Sequence, residues 1–166
     1  LNSLQNQLDS VKKEKESLET RLSQVSGADG NNKLLTAVIK AANLYISNDS
    51  TGAAEAIADV DVSSLPVEEA KTLYNTISGA TMMNAANDLY NRGMTAYNKA
   101  DYTTAADLLV RAYKCDKTKA DAVFYAAKSY VALNQPDNAK KYYQIIADEF
   151  KSSGYVTEAQ AYVQSH

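Results

Sequence analysis

The sequence predicts an all-α fold of antiparallel helical hairpins preceded by one long N-terminal helix. Three observations carry this. Only two prolines and six glycines interrupt 166 residues, so few points force the chain out of a helix. Alternating β-branched stretches are missing, while Ala, Leu, Lys, Glu and Gln are plentiful. Small and apolar positions recur every 34 residues between about residue 82 and the end. The length fits one core domain with at most one appendage.

Composition excludes several classes of function. With 45% hydrophobic and 22% charged residues, the chain has enough apolar surface to fold. Seventeen basic against twenty acidic side chains give a net charge of −3, and such a balance does not make a phosphate-tracking surface, so no nucleic-acid partner is expected. The one cysteine, Cys115, rules out an intrachain disulfide framework and any cysteine-based zinc site. The one histidine, His166, is the last residue, which removes nearly all histidine-dependent catalysis. No apolar run approaches the ~20 residues of a membrane span, so the chain is expected to be soluble with no direct membrane contact. It begins at Leu1 without an apolar leader, as expected of a piece of a longer protein whose address or anchor lies upstream.

Residues 1–26 are expected to form a coiled-coil helix. Leu1, Leu4, Leu8, Val11, Leu18, Leu22 and Val25 follow alternating steps of three and four, with Lys15 filling the one gap. A 3.5-residue repeat keeps one stripe facing a partner helix, so these eight positions are the expected oligomerisation residues. A lysine at an a position limits oligomer order, which favours a homodimer through residues 1–26. Glu14 opposite a partner's Glu19 repels in a parallel pair, so the orientation stays open. A lone amphipathic helix folded back on the domain is the other reading; the narrow two-in-seven stripe favours the intermolecular one.

Gly27, Ala28, Asp29, Gly30, Asn31 and Asn32 read as a flexible linker. The rest, 33–166, reads as one helical domain. In 33–80, Leu34, Val38, Ala41 and Tyr45 mark one helical face, and Asn48-Asp49-Ser50 is a stop and restart. Ala53, Ala54, Ile57, Ala58 and Val60 mark a shorter second helix. A third is expected to be capped by Ser64, with Pro66 in its first turn and Glu68 and Glu69 complementing its dipole. Gly79 either ends that helix or lies inside one long helix reaching Ala100.

The strongest pattern follows. A 34-residue offset places Gly93 over Ala127, Ala105 over Ala139, Leu109 over Tyr143 and Ala112 over Ile146, and a third copy starts at Ala161. A 34-residue period of paired antiparallel helices is characteristic of tetratricopeptide repeats. The chain resembles that family through Leu89, Gly93, Tyr97, Asp101, Tyr102, Ala105, Leu109 and Ala112, and then through Val123, Ala127, Tyr130, Ala139 and Tyr143. It departs at Lys117 and Lys151, where the family often has proline, and lacks the family's tryptophan. The resemblance implies a tetratricopeptide-like α-α superhelix: a degenerate repeat at 33–80, better repeats at 86–119 and 120–153, and a capping helix at 154–165. The arrangement is also similar to membrane-anchored coiled-coil and tetratricopeptide proteins of Gram-positive bacteria. That likeness implies an extracytoplasmic, cell-envelope location, a protein or peptide partner, no cofactor and no catalysis.

In that family the first helix of each repeat lines the concave face. The expected partner-binding residues are therefore Asn87, Tyr90, Met94, Tyr97, Asn98, Asp121, Phe124, Lys128, Val131, Tyr155, Glu158 and Tyr162. Tyrosine and methionine supply adaptable contact area, and asparagine can bond a peptide backbone at two points. Tyrosine is also a packing residue whose hydroxyl reaches water, so a structural spacer that binds nothing specific is the rival reading. The lysine and asparagine that clamp a chaperone's terminal carboxylate in some family members are replaced here by Tyr90 and Met94. Cys115 has no second cysteine or internal histidine to activate it. Arg111, Lys114, Lys117 and Lys119 are interleaved with Asp116 and Asp121, as in a solvated turn. No metal-ligand spacing and no Ser/His/Asp set occurs.

Overall fold

A computed structural model describes residues 2–24 and 29–166, with no description of the side chains of residues 24 and 29–31. Leu1 and Val25 of the expected oligomerisation stripe, and Gly27 and Ala28 of the expected linker, lie outside the described residues. The described chain is all-helical: α1 (Asn2–Gln24), α2 (Asp29–Ile46), α3 (Ser50–Ile57), α4 (Glu68–Asn98), α5 (Tyr102–Cys115), α6 (Ala120–Ala132), α7 (Pro136–Glu149) and α8 (Val156–Ser165), with one 3-10 turn at Val62–Ser64. It forms two compact units, Leu1–Ala85 and Ala86–His166. Helix α4 contributes its first part to one unit and its last part to the other.

In the first unit, α1 packs against α2. Val11 and Leu18 are fully buried in a cluster with Leu35, Val38, Leu73 and Ile77. The Arg21 guanidinium also meets the Glu69 carboxylate at 2.7 Å. This corrects the expected oligomerisation stripe: Val11 and Leu18 face their own chain, flanked by the half-buried Leu8, Lys15 and Leu22. Lys15 pairs with Glu19 at 3.1 Å. The physical reason is proximity. Helix α2 offers Leu35, Val38 and Ile39, which would otherwise meet water, and an apolar partner on the same chain is present at far higher effective concentration than a second copy. Leu4 alone among the described stripe residues is fully open, at 70% exposure.

Two other expectations are corrected here. Helix α2 already begins at Asp29, so residues 29–32 of the expected linker are helical. Asn, Asp and Gly are tolerated in a first turn because its N–H groups have no intrahelical partners. Ser64 does not cap the third helix. Leu65 is extended and buried (ψ 129°, 3% exposed), as the residue before a proline prefers, and the Val67 carbonyl receives the first helical bonds. Helix α4 then runs unbroken through Gly79, which sits exposed inside it.

Three hairpins share one turn. In α2–α3, α4–α5 and α6–α7 the positive-φ residue is Asn48 (66°), Ala100 (58°) and Asn134 (55°). Each donates its N–H to the carbonyl three residues back, and the next residue, Asp49, Asp101 or Gln135, donates to the carbonyl five back. This is a left-handed helix ending followed at once by a new N-terminus. Asp49 and Asp101 cap the following helix by accepting from the Gly52 and Thr104 N–H groups. The last two turns are 34 residues apart and the first lies 52 before the second. Ala100 is the strained member, since it carries a Cβ without the short polar side chain that lets asparagine adopt this conformation. Ala100→Gly is therefore expected to stabilise the fold by about 1 kcal/mol, read as a higher urea midpoint with an unchanged slope.

The second unit stacks α5 on α6, α6 on α7 and α7 on α8. Gly93 of α4 lies against α5, where an added Cβ would come within 2.8 Å of Leu109 Cγ and 3.3 Å of Leu108 Cβ. Ala105, Ala112, Ala127 and Ala139 are fully buried, as close helix crossings require. The 34-residue spacing does not continue through the last loop. The Ser153-Gly154-Tyr155 segment intervenes, α8 starts at Val156, and Ala159 rather than Ala161 is buried.

Candidate functional site

The expected partner-binding residues of the second unit come together around one aromatic cluster contributed by α4, α6 and the start of α8. On α6, Asp121, Phe124 and Lys128 recur at steps of three and four, which puts them on one face. Phe124 is the floor of the cluster. Tyr155 stacks on it with centroids 4.2 Å apart and an interplanar angle of 15°, and Tyr143 meets it edge-on at 6.1 Å. Phe124 is only 6% exposed, so the expectation that it offers an open contact surface is corrected: two tyrosines cover it.

Around this floor lie half-buried rings. Tyr97 contacts Tyr125 at 5.2 Å and Tyr102 at 5.4 Å, both edge-on. Tyr162 contacts Tyr143 at 4.7 Å and stacks on His166 at 4.2 Å. The Asp121 carboxylate lies close enough to Tyr90 to act on its hydroxyl and accepts from the Ala122 N–H. Two lysines lie over ring faces, Lys119 over Tyr90 at 5.4 Å and Lys128 over Phe124 at 5.2 Å, where the negative π-face attracts an ammonium. Glu158 ties the helices together by accepting from Tyr143 Oη at 3.2 Å and from Lys128 Nζ at 3.4 Å.

The remaining expected residues are peripheral. Asn87 and Asn98 are exposed, Met94 is half-buried, and Val131 is 43% exposed. Sequence reasoning missed Tyr125, which stands edge-on between Tyr97 and Phe124. The signal was present: Tyr125 lies four residues after Asp121 and three before Lys128, on the same helical face. The basic cluster is engaged within the chain, with Arg111 paired to Asp107 at 2.9 Å and Lys117 over Tyr113 at 4.5 Å. Cys115 is buried.

These rings resist ionisation. Burial and the nearby Asp121 carboxylate push Tyr90 up to about 12. Burial and the hydrogen bond to Glu149 push Tyr113 up to about 12, and burial with Glu158 pushes Tyr143 up as well. An unfolded tyrosine loses its proton near 10. The neutral rings thus contribute stability that is complete below pH 10, and it is lost as the pH rises toward 12. Thermal midpoints are expected to be level from neutral pH to about 10 and to fall between about 10 and 12.

The arrangement offers amphipathic rings with paired charges between them, which suits contact with another polypeptide. Among the described residues no helix is long and apolar enough to cross a membrane. No protein-family profile matches the chain, no curated protein matches it in sequence, and no solved structure matches it.

Proposed function

We propose that the chain is a non-catalytic interaction scaffold of the tetratricopeptide type, which takes a peptide or protein segment on the aromatic face of residues 86–166. One observation carries this reading. The face joins α4 and α6 positions 34 residues apart, Asn87/Asp121, Tyr90/Phe124 and Met94/Lys128, to residues at and after the start of α8, and ring and charge contacts link Tyr90, Asp121, Phe124, Lys128, Tyr155 and Glu158 into one cluster. Repeated hairpins presenting matching positions to one side form an extended surface for a partner. The repeated turn and the alanine-lined crossings support the same family reading. Tyrosines with few rotatable bonds give large contact area at low entropic cost.

A structural spacer is the second reading, favoured by the near-complete burial of Phe124 and by the lysines already seated on the ring faces. Selection from a random peptide display library against the whole chain separates the two. The scaffold reading expects enriched peptides whose affinity falls about tenfold or more in Tyr90→Ser/Tyr97→Ser, the loss of two aromatic anchors, and holds in Met83→Ser, a change at an exposed site. No enrichment, or enrichment indifferent to the tyrosine pair, supports the spacer. Placement on the outer side of a membrane-anchored parent rests on the Gram-positive resemblance, and protease accessibility of the full-length protein on intact cells tests it.

A further inference from the structure

We propose that the first two turns of α1 and the groove beside them form a self-association surface whose occupant is the same segment of a second copy of this chain. The surface lies wholly within the first unit. A groove of about 1270 Å³ runs between the start of α1, the α2–α3 corner and the middle of α4. That volume exceeds the range of about 300–1,000 Å³ typical of small-molecule sites. Seven residues of helix are about 10 Å long and about 10 Å across, which is a cylinder of the size the groove holds.

The chemistry selects the occupant. Fifteen residues line the groove and none is charged, in a chain where 22% are. The segment Asn2–Leu8 is likewise uncharged, and the first charge of α1 is Asp9. Across a two-fold axis the same patch meets itself and the residues on the axis meet their own copies, so a charge at its centre would face its own sign. Amides and hydroxyls both donate and accept, so Gln7, Asn48 and Thr76 can pair across such an axis without a buried charge. Leu4, 70% exposed and lining the groove, gives the apolar centre. On the α4 wall, Gly79 has no atom within 4 Å of an added Cβ and Ala80 beside it is exposed. Small residues there let a helix approach closely. Val11 and Leu18 stay in their own core, so association does not compete with folding of the unit.

Sedimentation equilibrium of the whole chain, from about 5 to about 500 µM, where a dimer of micromolar Kd converts from mostly monomer to mostly dimer, tests this. The expected result is a mass rising from 18.0 kDa toward twice that value. Gly79→Leu is expected to remain at the single-chain mass. Because that site opens to free space and leucine is the better helix former, its circular dichroism and melting temperature should match or exceed the original. Leu4→Gln is expected to weaken association about tenfold or more, the loss of one central apolar anchor per copy, and Met83→Gln to leave it unchanged. A single-chain mass throughout the range, or a dimer that survives in folded Gly79→Leu, overturns the proposal.

Discussion

Gly93→Val is expected to destabilise the second unit by about 2–3 kcal/mol, the usual cost of forcing extra methyl groups into a packed crossing. The added Cβ alone would lie 2.8 Å from Leu109 Cγ, 3.0 Å from Leu109 Cδ2 and 3.3 Å from Leu108 Cβ. Leu109 is fully buried, and Leu108 Cβ is fixed to its own helix. Valine adds two further methyls toward the same atoms. Its advantage over glycine in helix propensity, under about 1 kcal/mol, does not offset the clash. Ten of the twelve tyrosines lie between Tyr90 and Tyr162, so urea unfolding followed by tyrosine fluorescence reports on this unit. Gly79→Ala is the internal contrast. Nothing lies within 4 Å of its Cβ, and removing a glycine from a helix interior gains about 0.5–1 kcal/mol. Opposite signs at two glycines of one helix separate crowding from propensity.

Leu18→Ala is expected to cost about 2–5 kcal/mol, the range for truncating a buried leucine. Leu18 has no exposed surface and sits in the cluster that joins α1 to α2 and the first part of α4. Leu4→Ala, in the same heptad stripe but 70% exposed, should change the stability of the isolated chain by less than about 0.5 kcal/mol. Measuring both by circular dichroism at a concentration of a few µM, where a weak dimer is dissociated, distinguishes a helix packed on its own domain from one that needs a second chain. Equal and small effects would show that α1 is not part of the core.

Helix content was legible because glycine and proline are scarce, and the turn at Asn48-Asp49 carries its signal in residues that tolerate positive φ and cap helices. The companion turn at Ala100 carries half of that signal, in Asp101, and was found through the repeat. What stayed hidden depended on tertiary choice. A stripe at three-and-four spacing has the same appearance whether its partner is another chain or α2, and only the fold shows Val11 and Leu18 buried at home. Gly79 could end a helix or lie within one, because a glycine costs a long helix little enough to be carried. The cap assigned to Ser64 failed because Leu65 binds into the core in an extended form, a packing demand with no local signature. In the candidate face, the repeat named Tyr90, Asp121, Lys128 and Tyr155, which lie in one cluster in the fold. The stacking of Tyr155 on Phe124 depends on the Ser153–Tyr155 loop, where the 34-residue register is lost, so the covering of Phe124 could not be read from spacing.

The proposed recognition surface is the aromatic face of α4, α6 and α8. Tyrosine-ring NMR spectra of the whole chain, titrated with a display-selected peptide, test it most directly. Saturable shifts at Tyr90, Tyr97, Tyr125 and Tyr155, with Tyr45, Tyr74 and Tyr130 unmoved, are predicted. Shifts confined to the latter three rings, or none at a saturating peptide concentration, would contradict it.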